Sequence, residues 1–134
     1  RLGPECLSSL ANSLSHDPRI GIICPSYATV ELIEDQRVFT THGSRYDGTG
    51  GLAGFAMMLR SDLVKFWNFD ENLKWWYGDD DLLFWVIRTI GMKAVISHSA
   101  HCQHADGVTI RTNPPANFAQ LVADDREYFS AKWL

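Results

Sequence analysis

The sequence predicts an α/β domain with a mixed sheet flanked by helices. Stripes of apolar residues at helical spacing alternate along the chain with short, β-branched apolar runs. The 134 residues are 46% hydrophobic and 21% charged, enough apolar material for one packed core over residues 1–134. No internal repeat or low-complexity tract interrupts the alternation.

Pro4 followed by Leu7, Leu10, Ala11 and Leu14 predicts an amphipathic helix over 4–15, with proline in the first turn where its missing N–H is not needed. The run Ile20-Gly21-Ile22-Ile23-Cys24, ahead of Pro25, predicts a buried strand. Residues 26–51 lose periodicity and end in Asp47-Gly48-Thr49-Gly50-Gly51, which predicts a long excursion with room for a hairpin. Leu52 to Leu59 reads as a second buried strand, with Gly54 marking a close approach of backbone or ligand. Ser61 is positioned to cap a helix through Leu63, Val64 and Phe66 to Trp67. A further helix, apolar on nearly every side, is expected from about Asp80 to Ile90, stopping at Gly91. Ala94-Val95-Ile96 predicts a third strand. Asn113-Pro114-Pro115 introduces a C-terminal helix within 113–134 that turns Phe118, Leu121, Val122, Phe129 and Trp133 inward.

Composition excludes several classes of function. Twelve basic against sixteen acidic residues leave a formal charge of -4, with the basic residues scattered singly, so no patch is suited to a nucleic-acid backbone. The longest apolar stretches, Leu52–Leu59 and Leu82–Ile87, fall far short of the ~20 residues a membrane-spanning helix needs. Cys6, Cys24 and Cys102 are odd in number and lack C-x-x-C spacing, which fits a reducing compartment. A cytoplasmic protein, free or peripheral to a membrane, is the expectation. The chain opens at Arg1 and enters a helix at once, so a start partway through a longer gene product is also expected.

The residues most telling of chemistry are Trp75-Trp76-Tyr77-Gly78-Asp79-Asp80-Asp81-Leu82, where an aromatic platform runs into three carboxylates and then an apolar helix. A helix N-terminus offsets the like-charge repulsion by roughly 0.3 to 1 kcal/mol per exposed carboxylate, so a capped, solvated acidic turn is one reading. The aromatics favour another. Sugar rings stack their C–H faces on Trp and Tyr, and a neighbouring carboxylate can take a hydroxyl proton as general base. His98, His101 and His104 form a second cluster. On an extended strand His98 and His104 would share one face and His101 the other, which does not converge three ligands on zinc. Each histidine read by itself is a surface or hydrogen-bonded residue.

The order Gly51-Leu52-Ala53-Gly54-Phe55-Ala56-Met57-Met58-Leu59-Arg60, Asn68-Phe69-Asp70-Glu71, Gly78-Asp79-Asp80-Asp81-Leu82-Leu83, Gly91 and His104 resembles the second half of family-2-like inverting glycosyltransferases of the GT-A fold. The resemblance spans about residues 4–107 and lies in order and spacing. It implies the C-terminal portion of a GT-A fold, which transfers a sugar from a nucleotide-sugar donor to the hydroxyl of a glycan or other acceptor, with inversion. By position, Asp80 takes the place of the base and Asp79 that of the preceding Glu. Gly50, Gly51, Gly54, Trp75, Trp76, Tyr77 and Asp81 fall among the substrate-binding positions. His104 falls where many members complete a site for Mn²⁺ or Mg²⁺, with His101 the alternative ligand. The run also looks like the G-E-D-D-D motif of β-galactosyltransferases. Asp79 is one methylene shorter than the usual Glu, Leu82 stands where many members are acidic, and the usual helical Arg falls at Val86, with Arg88 two residues later.

The resemblance also implies what lies elsewhere. Members hold the nucleotide and metal with a front half ending in D-x-D, and the only such pattern here, Asp79-Asp80-Asp81, sits at the base position. The chain is therefore expected to be the acceptor half of a larger catalytic domain, with a sheet edge prone to pair with a second copy. A noncatalytic carbohydrate-binding or assembly module is the main alternative function, and a metal hydrolase using the Asp run and histidines is a third. Phe69, Leu73 and Trp85 are expected in the core, Trp67 and Trp133 over helix surfaces, and Met57-Met58 as gap-filling strand core. The cysteines lack a basic partner in sequence, and no G-x-S-x-G elbow supports a serine hydrolase.

Overall fold

A computed structural model describes residues 1–26, 36–38, 54–105 and 108–134. Helix α1 (Cys6–His16) forms on the predicted stripe and buries Cys6, Leu10 and Leu14. Strand β1 (Ile20–Ser26) is buried along its whole length and carries Pro25 inside it, so it outruns the predicted 20–24. Among the described residues, strands β2 (Gln36–Val38), β3 (Met58–Leu59) and β4 (Lys93–His101) complete a mixed four-stranded sheet in the order β2-β4-β1-β3. The central pair β1 and β4 is parallel, with Cys24 opposite Ile96, while β3 and β2 flank it antiparallel.

Both faces of the sheet are covered, which explains the uninterrupted apolar run of β1. Ile20, Ile23, Val95 and Ala100 pack against Cys6, Leu10 and Leu14 of α1. On the other face Ile22, Cys24, Ala94 and Ile96 pack against Leu82, Leu83 and Val86. Leu82 and Leu83 belong to α3 (Gly78–Phe84), and Val86 to the π-helix over Trp85–Ile90 into which α3 widens. The helical segment ends at Gly91, whose φ of 76° is the left-handed conformation expected there and whose N–H bonds the Val86 carbonyl. It begins at Gly78, two residues before the predicted start.

Several boundaries differ from expectation for local reasons. The strand predicted over 52–59 is reduced to Met58–Leu59, because residues 54–56 form a turn; residues 52 and 53 lie outside the described residues, as does most of 26–51. Ser61 does not cap α2 (Ser61–Val64) but is its first residue. The Arg60 N–H bonds Gly21 at the end of β3, placing Arg60 at the cap position, and i→i+3 bonds carry the chain on to Phe66 and Trp67. The Arg60 side chain donates to the carbonyls of Leu14, Asp17 and Ile20, closing the C-terminal end of α1. Strand β4 extends past the predicted 94–96. Its polar half is concealed in sequence because buried Ser97 satisfies its hydroxyl on that of Ser99, at 3.0 Å. Phe69, expected in the core, is 62% exposed and meets Trp67 edge-on at 6.1 Å.

A short helix α4 (Val108–Thr112) precedes α5 (Phe118–Trp133), which starts after the two prolines as predicted. Among the described residues no helix is long and apolar enough to cross a membrane. All three cysteines are buried free thiols. Gly21 sits where a Cβ would lie 2.9 Å from Val86 Cγ1 and 3.1 Å from Met92 Cβ. Gly21→Ala is therefore expected to overpack the contact of β1 with the π-helix and cost about 1–3 kcal/mol. An unchanged urea midpoint would contradict that packing.

Candidate functional site

The acidic triplet is not a solvated turn. Asp80 is 6% exposed and Asp81 1%, and neither serves as a side-chain cap of α3. The helix is opened instead by Tyr77, at φ 64° and ψ 2°, whose carbonyl accepts the Asp81 N–H at 2.8 Å. A left-handed tyrosine is uncommon and is held only where its surroundings over-determine it. Asp79 accepts the Asp80 N–H at 3.1 Å through Oδ1.

The surroundings that hold Tyr77 come from α5. Asp125, 1% exposed, accepts the backbone N–H groups of Lys74, Trp75 and Trp76 at 3.0, 2.7 and 2.7 Å. Phe129 stacks on Tyr77 with ring centroids 5.1 Å apart, and Arg126 Nε donates to the Tyr77 hydroxyl at 3.2 Å. Phe118 meets both Trp75 and Trp76 edge-on, at 5.9 and 6.4 Å. Trp75, at 41% exposure, remains the most open ring of the three, whereas Tyr77 has its stacking partner in Phe129.

Asp81, expected among the substrate-binding residues, has both oxygens engaged by α5. Trp133 Nε1 donates to Oδ1 at 2.6 Å, and Lys132 Nζ lies 2.8 and 3.1 Å from Oδ1 and Oδ2. A buried carboxylate so held ties two helices together. Lys132 also bonds Asp70, which Tyr128 and Asn72 hold in place. Sequence reading missed Asp125, Tyr128 and Lys132. The one signal for Asp125 was a carboxylate at i+4 from Leu121 and i−4 from Phe129, on the stripe that faces the body.

At Gly54, where the sequence predicts a close approach of backbone or ligand within a strand, the structure has a turn, and the group that comes close is the Asp79 side chain. A Cβ at position 54 would lie 2.9 Å from Asp79 Oδ2 and 3.0 Å from its Cβ, so only glycine fits without displacing that carboxylate. The next residue, Phe55, stacks on His104 at 3.6 Å and 8°. The fold thus brings Gly54, Phe55, Asp79 and His104 to one locality beside Asp80. Gly50 and Gly51 lie outside the described residues. His104 falls beyond the end of β4, so strand alternation does not fix its face; His98 is half-buried on β4 and His101 is exposed at its end. Among the described residues no group of three or more His, Cys, Asp or Glu side chains is arranged to hold a metal ion.

Charge on the α5 contacts sets a pH dependence. Lys132 foremost, with the Asn72 N–H, holds Asp70 well below the usual carboxylate range. Burial pushes Asp125 up, but its three backbone N–H bonds outweigh this and leave it low. Both are depressed in the folded state, so their stabilisation is fully present above the unfolded value of about 4 and is lost as pH falls through the folded values. The urea midpoint is expected to hold between about pH 7 and 5 and to drop below about pH 4. A midpoint constant into stronger acid would contradict these contacts.

The sequence matches no known family model, no curated protein and no solved structure.

Proposed function

We propose that this chain carries the acceptor-binding and catalytic-base part of an inverting glycosyltransferase that moves a sugar from a nucleotide-sugar donor to an acceptor hydroxyl. The observation that supports it best is a buried carboxylate, Asp80, placed directly after an aromatic segment whose backbone is pinned by α5. Burial shelters the carboxylate from bulk water, so less solvent competes for the acceptor proton. Asp80 takes the acceptor proton as the hydroxyl oxygen attacks the anomeric carbon in line, and the nucleoside diphosphate leaves with the bonding pair. Asp79, fixed against Gly54, orients that hydroxyl. Trp75 and Trp76 receive the apolar face of the acceptor sugar, and the Phe55–His104 stack borders the same site. Asp81 serves by keeping α3 fixed to α5.

The test is acceptor-dependent transfer by the full gene product, using a panel of nucleotide sugars and glycans with mass spectrometry of the products. Glycans heavier by one sugar residue support the proposal. The exposed Trp75 equally suits a carbohydrate-binding module. Glycan binding in calorimetry, with no transfer from any donor, favours that second reading and rejects the first.

A further inference from the structure

We infer that Asp125 is the positioning residue of the acidic and aromatic site: from α5 it fixes the backbone of residues 74–76 and, through Tyr77, the place of Asp79 and Asp80. In what it means for catalysis, this rests on the function proposed above; in what it means for the chain's conformation, it stands without it.

Residues 74–76 belong to no helix or strand, so their N–H groups have no ladder to satisfy them. All three converge on one buried carboxylate in a concave nest that favours an anion. The chain leaves this nest directly into the left-handed Tyr77, and Tyr77 supplies the first carbonyl of α3. Asp79 and Asp80 are the second and third residues of that helix, so their position follows from the residue before it. The contacts of Phe129 and Arg126 with Tyr77 come from the same helix and add to the same constraint. Neighbouring Asp124 is exposed and accepts from Gln120 Nε2, one turn back on the same helix, at 2.7 Å, which makes it a matched control.

The experiment is amide hydrogen exchange on the unmodified chain, Asp125→Asn and Asp124→Asn. In the unmodified chain the amides of 74–76 are expected to be protected despite lying outside regular structure; their exchange at the unfolded rate would overturn the inference whether or not the variant folds. Asp125→Asn is expected to speed exchange at 74–76 by roughly 10- to 100-fold, as charge-assisted bonds are lost. The β1 and β4 amides should keep their rates, and Asp124→Asn should change neither set. Acceleration at 74–76 only in step with the sheet would mark Asp125 as a general stabiliser and contradict a positioning role. Where the unmodified protein transfers sugar, Asp125→Asn should raise KM for the acceptor and leave KM for the donor unchanged. An unchanged acceptor KM would contradict the inference. If no transfer occurs, the function proposed above fails while the exchange results still decide the positioning role.

Discussion

Asp80→Asn is expected to lower the rate of sugar transfer by ~10²–10⁴-fold, the usual worth of a general base, while donor affinity stays unchanged. Asparagine keeps the shape of the side chain but replaces one acceptor oxygen with an NH2 donor and cannot accept the acceptor proton. Because Asp80 is 6% exposed, bulk water has poor access to substitute for it. Steady-state kinetics with donor binding measured separately gives the answer. Equal loss of transfer and donor binding would sink the assignment of Asp80 as base. Asp81→Asn makes a useful contrast, since its target is the Lys132 and Trp133 contacts, and its main effect should be on stability.

Phe129→Ala is expected to destabilise the protein by about 3–5 kcal/mol, the usual cost of emptying a buried aromatic site. Phe129 is 6% exposed, stacks on Tyr77 and meets Phe84 edge-on at 5.1 Å, so it joins α5 both to the residue before α3 and to α3 itself. Removing the ring should open a cavity between the two helices and release the left-handed Tyr77. Chemical denaturation measures the first effect and tyrosine fluorescence the second. A loss below about 1 kcal/mol would mean that α5 contributes little to the fold's cooperativity.

Elements carried by local pattern were legible in the sequence. The stripe of α1, the apolar run of β1 and the stop at Gly91 each depend on residues within a few positions of one another, and each is present. Of the strand expected over 52–59, the described residues form only Met58–Leu59, because apolar character alone does not tell a strand from a turn, and Phe55 in that turn is 44% exposed. β4 was underestimated because its second half satisfies polar side chains internally, as Ser97 does on Ser99. Phe69 illustrates the converse, an aromatic that composition sends inward and the fold leaves outside. In the candidate site, Asp79, Asp80 and Gly54 could be singled out from sequence, and the fold sets Asp79 against Gly54. What holds them could not be read, since the bonds from Asp125 span 49 to 51 residues and leave no periodic trace. The same distance hides Asp81's attachment to Trp133, 52 residues away.

The proposed reaction is a single in-line displacement at the anomeric carbon with Asp80 as base. One-step displacement inverts that centre, whereas a route through a covalent sugar–enzyme intermediate retains it. The most direct measurement is the proton NMR spectrum of the first product formed by the full gene product, read at the anomeric resonance. A configuration opposite to that of the donor is expected. A product with the donor's own configuration would contradict it.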